Sequence, residues 1–234
     1  MAEAKLILGI DTCGPAGSVA LGRLTADAVE LLGETELAGR SYSARLVPAV
    51  KALLASSGAA IHALHALVVT HGPGSFTGVR VGLSTVKGFA EGAGLPIVAV
   101  SRLEALALKA GVSSAAFDAH RNEVFLLLAA AGDPRKELLA GAKDLESQEK
   151  IPARVAVCED AAAKLLSSSW PRTEQVCVAA PTAADALRLA VPRILAADFD
   201  DVMALDGHYI RRSDAEIFGP ANPSVHTSVD QEKK

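Results

Sequence analysis

Aromatic residues make up only 4% of this 234-residue chain, although 50% of its residues are hydrophobic. The apolar mass therefore lies mainly in alanine, valine and leucine. This composition excludes a disordered or fibrous chain. It favours helices packed closely on sheets over a sandwich with an aromatic core. The length allows one or two domains, because each half could support a core of its own.

Positive charge is also in short supply. The chain has 23 lysines and arginines against 27 aspartates and glutamates, which gives a net charge of −4. A protein that binds RNA or DNA by itself needs a basic excess, so that class is disfavoured. The sequence lacks an apolar run of about 18 residues, and its start lacks the features of a signal peptide. We therefore expect a cytoplasmic protein with no membrane partner.

No spacing of cysteines or histidines indicates a metal centre. Cys13, Cys158 and Cys177 lack a C-x-x-C pattern, which argues against a disulfide framework and a thiolate metal site. His62 and His65 are three residues apart but have no acidic or cysteine residue at ligand spacing, so no metal is expected. A G-x-S-x-G elbow is absent as well, so a serine hydrolase would lack its usual nucleophile setting.

The hydrophobic pattern changes from hairpins to alternating strands and helices. In the first half it predicts strands at 5–12, 17–24, 28–37, 66–70 and 96–100 and helices at 41–57, 75–94 and 101–110. In the second half it predicts strands at 115–118, 123–131, 154–158 and 176–179, a helix at 160–167 and another opened by Pro181–Asp185. These elements predict mixed sheets with helices on both faces.

The second half begins like the first, because Asp11 and Asp118 both end an apolar strand that another apolar strand follows. This indicates a duplicated α/β unit, with subdomains at 1–104 and 105–215. Residues 216–234 are rich in polar residues and proline and have almost no apolar side chains, so we expect a disordered tail.

A glycine-rich turn, HGPGSFTG, lies between a predicted strand and a predicted helix at residues 71–78. Such a turn can direct free backbone N–H groups at an anion. It matches neither the Walker loop, which ends in Gly-Lys-Ser/Thr, nor the G-x-G-x-x-G fingerprint. The alternative is a tight turn with Ser75 as the cap of the following helix.

That helix carries Gly78, Gly82, Ser84, Thr85 and Gly88, an unusual number of small residues. Each glycine weakens an isolated helix by roughly 0.5 to 1 kcal/mol relative to alanine, so close packing must compensate. Either the helix at 41–57 or a helix of a partner protein could pack there. The residues alone leave both alternatives open.

The turn Asp11-Thr12-Cys13-Gly14 resembles the first phosphate-binding turn of actin-like ATPases and sugar kinases, where an aspartate helps to hold a magnesium-bound phosphate. The other interpretation of Asp11 is a carboxylate that caps its own turn. Asp118 is followed by Ala119, His120, Arg121 and Asn122, without a glycine that would let a phosphate approach the backbone.

Four segments together resemble the TsaB (YeaZ) family, whose members are the bacterial partner subunits for formation of threonylcarbamoyladenosine on tRNA. They are ILGIDTCGPAGSVAL, GRSYSARLVPAVKALL, HGPGSFTGVRVGLSTVKGFAEG and FDAHRNEVF. The likeness extends over about residues 6–212 and includes HYIRRSDAE, and GPGSFTGVRVG is its most specific part. Cys13 stands where relatives often have serine, and His120-Arg121-Asn122 departs from the family's D-A-R-x-G-E-V turn.

The resemblance implies an actin-like ATPase (ASKHA) fold with two duplicated mixed-sheet subdomains. It also implies a non-catalytic scaffold or activator subunit that binds the catalytic subunit TsaD. The pair would carry out threonylcarbamoyl transfer to the adenosine beside the anticodon of tRNA, which would be bound through the complex. TsaE, an ATPase, would join the larger complex, and without TsaD the chain would pair with itself as a homodimer.

The family's two docking helices correspond to residues 41–57 and 75–94. The implied partner-binding residues are Leu46, Val50, Leu53, Gly78, Val79, Gly82, Leu83 and Val86. The residues of a vestigial nucleotide site would be Asp11, Thr12, Gly72, Gly74 and Ser75. The resemblance implies no catalytic residues, no metal and no cofactor, while a weak contact to ATP and magnesium at the partner interface stays open.

A small ATPase or phosphotransferase of the actin-like class is the alternative function. Asp11-Thr12 and Gly72-Pro73-Gly74 motivate it, and it predicts magnesium-dependent ATP binding by the isolated chain. A metallopeptidase is a third hypothesis, and it predicts stoichiometric zinc or iron in the purified protein.

Overall fold

The computed structural model describes residues 5–39, 41–129 and 134–210. The first half contains β1 (Lys5–Asp11), β2 (Ala16–Leu24), β3 (Val29–Ala38), α1 (Tyr42–Ser56), β4 (Leu64–Thr70), α2 (Phe76–Ala93), β5 (Ile97–Val100) and α3 (Arg102–Ala110). The second half contains β6 (Ala115–His120), β7 (Glu123–Leu128), β8 (Lys136–Gly141), α4 (Ala142–Glu146), β9 (Arg154–Val157), α5 (Asp160–Ser169), β10 (Glu174–Cys177) and α6 (Ala183–Leu195).

The two halves form five-stranded sheets of the same topology. The strand order is β3-β2-β1-β4-β5 in one and β8-β7-β6-β9-β10 in the other. In each sheet the first three strands are antiparallel, and the last two run parallel to the first. The prediction of a duplicated α/β unit with the actin-like fold is therefore confirmed.

Local sequence explains where the helices begin and end. Ser75 caps α2 by accepting a hydrogen bond from the N–H of Gly78, and Gly94 ends this helix in the left-handed conformation with φ 65°. Ser101 caps α3 in the same way, and Gly111 ends it with φ 65°. Serine supplies the missing acceptor at a helix start, and glycine adopts a positive φ without a Cβ clash.

The predicted strands and helices are confirmed within a few residues at their ends. The sequence pattern missed β8 and the five-residue α4. The predicted subdomain boundary at 104/105 falls inside α3, and the division into 1–104 and 105–215 stays a prediction. The predicted tail, 216–234, lies outside the described residues. Within the ranges that are described, no helix is long and apolar enough to cross a bilayer.

The last helix of each half packs on the sheet of the other half. Helices α1 and α2 cover one face of the first sheet, and α6 covers the opposite face through residues such as Leu187 and Ile194. Helix α3 packs on the second sheet, where Leu103 and Leu106 contact Phe117. The other face of the second sheet is covered by α4 and α5 around Trp170. The two hydrophobic cores are thus completed by exchanged helices.

Candidate functional site

The first hairpin turn begins at Asp11, which ends β1 and is only 2% exposed. Its Oδ1 accepts a hydrogen bond from the backbone N–H of Cys13 at 2.8 Å. Its Oδ2 lies 3.9 Å from Nε of Arg102. Burial raises the pKa of Asp11, and the nearby Arg102 charge opposes that shift. The turn-capping interpretation of Asp11 is thus confirmed by its own backbone contact.

The next two residues of this turn bind the glycine-rich loop and α2 directly. Thr12 Oγ1 donates a hydrogen bond to the carbonyl of Gly78 at 2.7 Å. The N–H of Ser75 donates to the carbonyl of Cys13 at 2.8 Å. A Cβ on Gly74 would collide with the Cys13 backbone, and one on Gly78 would collide with the Thr12 carbonyl. These glycines therefore allow α2 to approach the turn.

Arg102 is the functional candidate that the sequence analysis missed. Its side chain is 5% exposed, and its guanidinium carbon lies 4.3 Å from the centre of the Phe117 ring. The guanidinium also lies against Gly14, where a side chain would clash with it. The sequence did contain one sign that Arg102 is unusual. Arg102 directly follows the helix cap Ser101, and a cation in the first turn of a helix is unfavourable because it opposes the helix dipole.

The second hairpin turn repeats the hydrogen bond from a backbone N–H to the aspartate, but its backbone conformation differs. Asp118 Oδ1 accepts a hydrogen bond from the N–H of His120 at 2.9 Å. His120, Arg121 and Asn122 all adopt positive φ angles, between 53° and 63°, and none of them is glycine. Their side chains occupy a turn that would need glycine to let a phosphate approach its backbone.

The five residues of the vestigial nucleotide site, Asp11, Thr12, Gly72, Gly74 and Ser75, lie in or beside the first turn and its adjoining loop. Nucleotide binding by them stays a prediction. A magnesium-bound phosphate does not fit beside Asp11, because the Arg102 guanidinium is already the cation next to this carboxyl. Among residues 5–39, 41–129 and 134–210, no group of three or more His, Cys, Asp or Glu side chains could hold a metal ion.

A cleft of about 910 Å³ separates the two turns. Its lining includes Tyr42, Thr77, Arg102, Asp118 and Glu159. The Tyr42 hydroxyl donates a hydrogen bond to the carbonyl of Gly14 at 2.7 Å, and burial raises its pKa to about 12. Tyr42 therefore stays a neutral donor at physiological pH and supports the first turn from the side of α1.

The eight residues expected at a partner interface do not form an exposed stripe. All of them are buried within the chain: Leu46, Val50, Leu53, Gly78, Val79, Gly82, Leu83 and Val86. The six apolar side chains pack in the core of the first sheet, and a Cβ on Gly82 would collide with Thr12. In the isolated chain these residues serve internal packing, and their assignment to a partner interface stays a prediction.

The outer faces of the same two helices are accessible and include many small residues. On α1 the exposed positions include Ala44, Pro48, Ala52 and Ala55, and on α2 they include Ser84, Gly88 and Gly92. A Cβ on Gly88 or Gly92 would meet nothing within 4 Å. A groove of about 270 Å³ adjoins this surface and is lined by Val50, Lys51, Leu54, Ala55, Ala59, Ile61 and Phe89. We call this surface the outer face of α1 and α2.

Two stacked histidines connect the segment after α6 to both halves. The rings of His71 and His208 are 5.3 Å apart, and His208 Nε2 lies 2.9 Å from Glu137 of β8. Ser101 donates a hydrogen bond to the other oxygen of Glu137. The bond to Glu137 raises the pKa of His208, whereas burial, aided by the His208 charge, lowers that of His71. As the pH falls, His208 is therefore protonated before His71.

Comparisons with known proteins found sequence similarity over about half of the chain. A family model described as TsaD, tRNA N6-adenosine threonylcarbamoyltransferase, matches residues 35–138. The tRNA threonylcarbamoyladenosine biosynthesis protein TsaB of Haemophilus influenzae is 40% identical over 128 residues, covering 51% of this chain and 51% of that protein. TsaB of Escherichia coli is 40% identical over 128 residues, covering 51% of this chain and 52% of that protein.

The solved structure of YeaZ from Pseudomonas aeruginosa is similar over almost the whole chain. It superposes with a TM-score of 0.71 at 26% identity, covering 88% of this chain and 100% of YeaZ. The chain is therefore similar to TsaB (YeaZ) proteins in both sequence and fold. It spans about half the length of the curated TsaB proteins that it matches. The stretch matched to the TsaD model contains α1, α2 and Arg102, so it includes the outer face and part of the lining of the cleft.

Proposed function

We propose that this protein acts in tRNA threonylcarbamoyladenosine biosynthesis as a non-catalytic partner subunit of TsaD. The names of the TsaB relatives and the match of residues 35–138 to the TsaD model support the pathway. The structure of the first turn supports a non-catalytic role, because Arg102 lies beside Asp11 where a magnesium-bound phosphate would be needed. Arg102 also disfavours the alternative of a small ATPase or phosphotransferase.

The outer face of α1 and α2 is the surface that we assign to TsaD. Its alanine, serine, glycine and proline positions would let another helix approach both backbones closely. The observation that carries this assignment is the open space above Gly88 and Gly92, because exposed glycines inside a helix cost stability without any gain in the isolated chain. The adjoining apolar groove beside Phe89 could receive a side chain of the partner.

The charges on these helices indicate the kind of surface that would complement them. Arg45, Lys51, Arg80 and Lys87 are basic, whereas Glu91 is the one acidic residue of the two helices. The whole chain has a net charge of −4, so this local basic excess is distinctive. We therefore expect an acidic surface on TsaD, and an association that weakens as salt rises.

Binding to TsaD can be tested with one substitution and a matched control. Gly88→Arg places a long charged side chain on the outer face without a clash inside the chain, so it should prevent the complex and leave the fold intact. Ala161→Arg makes the same change at an exposed alanine of α5 and should leave binding unchanged. Light scattering after size exclusion, with and without TsaD of the same organism, measures both. A complex that survives Gly88→Arg would contradict the assignment.

The other partners follow from this proposal. Without TsaD, the same outer face would pair with a second copy, so Gly88→Arg should also yield a monomer. TsaE would join the assembled pair, tRNA would bind through the complex, and the site of action would be the cytoplasm. A weak contact to ATP and magnesium at the TsaD interface stays a prediction. Calorimetry with magnesium and ATP should show heat for the pair and none for the isolated chain.

A further inference from the structure

The Arg102 side chain is a buried cation whose hydrogen bonds are not made by the protein. It donates no hydrogen bond to any described residue, and its Nε is fully shielded without a partner. The nearest carboxylate oxygen, Oδ2 of Asp11, is 3.9 Å away, which is too long for a hydrogen bond. A guanidinium has five N–H donors, and leaving the Nε donor buried and unpaired is costly, whereas the terminal nitrogens of Arg102 are not fully shielded.

Stacking on Phe117 does not remove this cost. A ring attracts the flat face of a guanidinium, whereas the N–H donors point outward in its plane. Glu159, another acid of the cleft, already accepts a hydrogen bond from the N–H of Asp118 at 2.5 Å. The terminal nitrogens of Arg102 are therefore available to an acceptor from outside the protein, and the cleft that Arg102 lines has room for one.

The start of α2 adds a second attraction for negative charge in the same cleft. Ser75, Phe76 and Thr77 line the cleft at the N-terminal end of this 18-residue helix. A helix start carries about half a positive charge, which attracts anions. Arg102 and the helix start are therefore two separate sources of positive charge beside one cavity.

We propose that the cleft between the two hairpin turns binds a small anion, a carboxylate or a phosphate monoester, with Arg102 as its anchor. The planar guanidinium matches the paired oxygens of either group. Asp118 and Glu159 also line the cleft, so they would repel the several charges of a nucleoside triphosphate. The site is therefore suited to a compact ligand of low charge. This inference does not depend on binding to TsaD.

The test titrates the full chain alone, in a chloride buffer of low ionic strength, with inorganic phosphate and separately with acetate. Calorimetry should show binding of at least one of them, and the Arg102→Gln variant should bind it about tenfold more weakly. Arg102→Lys keeps the positive charge but loses the paired N–H donors of the guanidinium, so it should retain only part of the affinity. Arg45→Gln removes an exposed arginine of α1 that does not line the cleft, and it should bind like the unchanged protein.

A second measurement avoids the question of whether the variants fold. In the unchanged protein, the Nε–H resonance of Arg102 should shift on addition of the same anion, and the resonances of exposed arginines should not. A preference for phosphate over acetate, or the reverse, identifies the kind of ligand. The proposal is overturned if neither anion binds at tens of millimolar, if folded Arg102→Gln binds as tightly as the unchanged protein, or if the Arg102 resonance does not respond.

Discussion

Asp11 and Asp118 hold equivalent places in two sheets of the same topology, yet their surroundings differ. Asp11 ends the first strand of its sheet, Asp118 lies two residues before the end of the equivalent strand, and each accepts a hydrogen bond from the N–H two residues later, at 2.8 Å and 2.9 Å. Asp11 is buried beside Arg102, whereas the Asp118 side chain is 23% exposed and contacts His120, which is 87% exposed. The hydrogen bond to the aspartate is thus preserved, while the conformation of the turn and the surroundings of the aspartate differ.

The helix that follows the fourth strand of each sheet accounts for the difference. In the first half, α2 approaches the turn through Gly78 and Gly82 and closes it. In the second half, α5 begins with Asp160, Ala161 and Ala162, and no glycine allows a similar approach. The comparison shows that duplicated units can keep one fold while glycine placement decides which turn is shielded from water.

The largest effect is expected where a side chain is added to the closed turn. Gly78→Val places a branched side chain against the Thr12 carbonyl and should destabilise the protein by about 3 kcal/mol or prevent folding. The matched change Ala161→Val, at an exposed position of α5, should cost about 0.5 kcal/mol. Urea unfolding measures both variants. Equal losses would show that the two helices approach their turns alike.

Removal of the two aspartates should have a smaller but still unequal effect. Asp11→Ala leaves Arg102 without a counter-charge and the Cys13 N–H without an acceptor, so we expect a loss of about 2 kcal/mol. Asp118→Ala removes a partly exposed contact and should cost about 0.5 kcal/mol. Thermal unfolding of both variants tests this order.

Asp11→Asn provides the control for that pair, because it keeps an oxygen for the Cys13 N–H and removes only the charge. A loss of stability smaller than that of Asp11→Ala would show how much the ion pair contributes and how much the hydrogen bond contributes. If Asp118→Ala proved the more harmful change, the shielding of the first turn would not matter for stability.

The smallest effect is expected when a residue with a positive φ in the second turn is replaced by glycine. Arg121 has φ 53°, a conformation that costs an ordinary residue roughly 1 kcal/mol, so Arg121→Gly should stabilise the protein by about 0.5 kcal/mol. Arg121→Ala removes the same side chain but keeps the Cβ, and it should give no such gain. A melting temperature that rises for both variants would point to the charge instead of the backbone.

Much of the fold could be predicted from the sequence, because periodic apolar residues and caps such as Ser75 and Gly94 determine local structure. Strand β8 was missed because KELLAG is short, and its burial depends on pairing with β7. The packing of α6 on the first sheet was not predicted, because it depends on contacts between residues far apart in the chain.

The candidate site was predicted only in part. The pattern Asp11-Thr12 with Gly72 and Gly74 drew attention to a closely packed turn, because glycines mark close approach, while nucleotide binding there stays a prediction. It did not reveal which face of α2 was accessible, since small residues line both its inner and outer faces. Arg102 was missed because its role arises from two hairpins that meet only in the folded chain.

The exchange of α3 and α6 between the sheets has a consequence for biosynthesis. While the ribosome has released only the first 110 residues, the face of the first sheet that carries Val68 and Val98 has no cover, because α6 begins at Ala183. The nascent half would therefore expose an aggregation-prone apolar surface until nearly the whole chain is made. Separately expressed halves should remain insoluble or bind chaperones, and co-expression should rescue both of them.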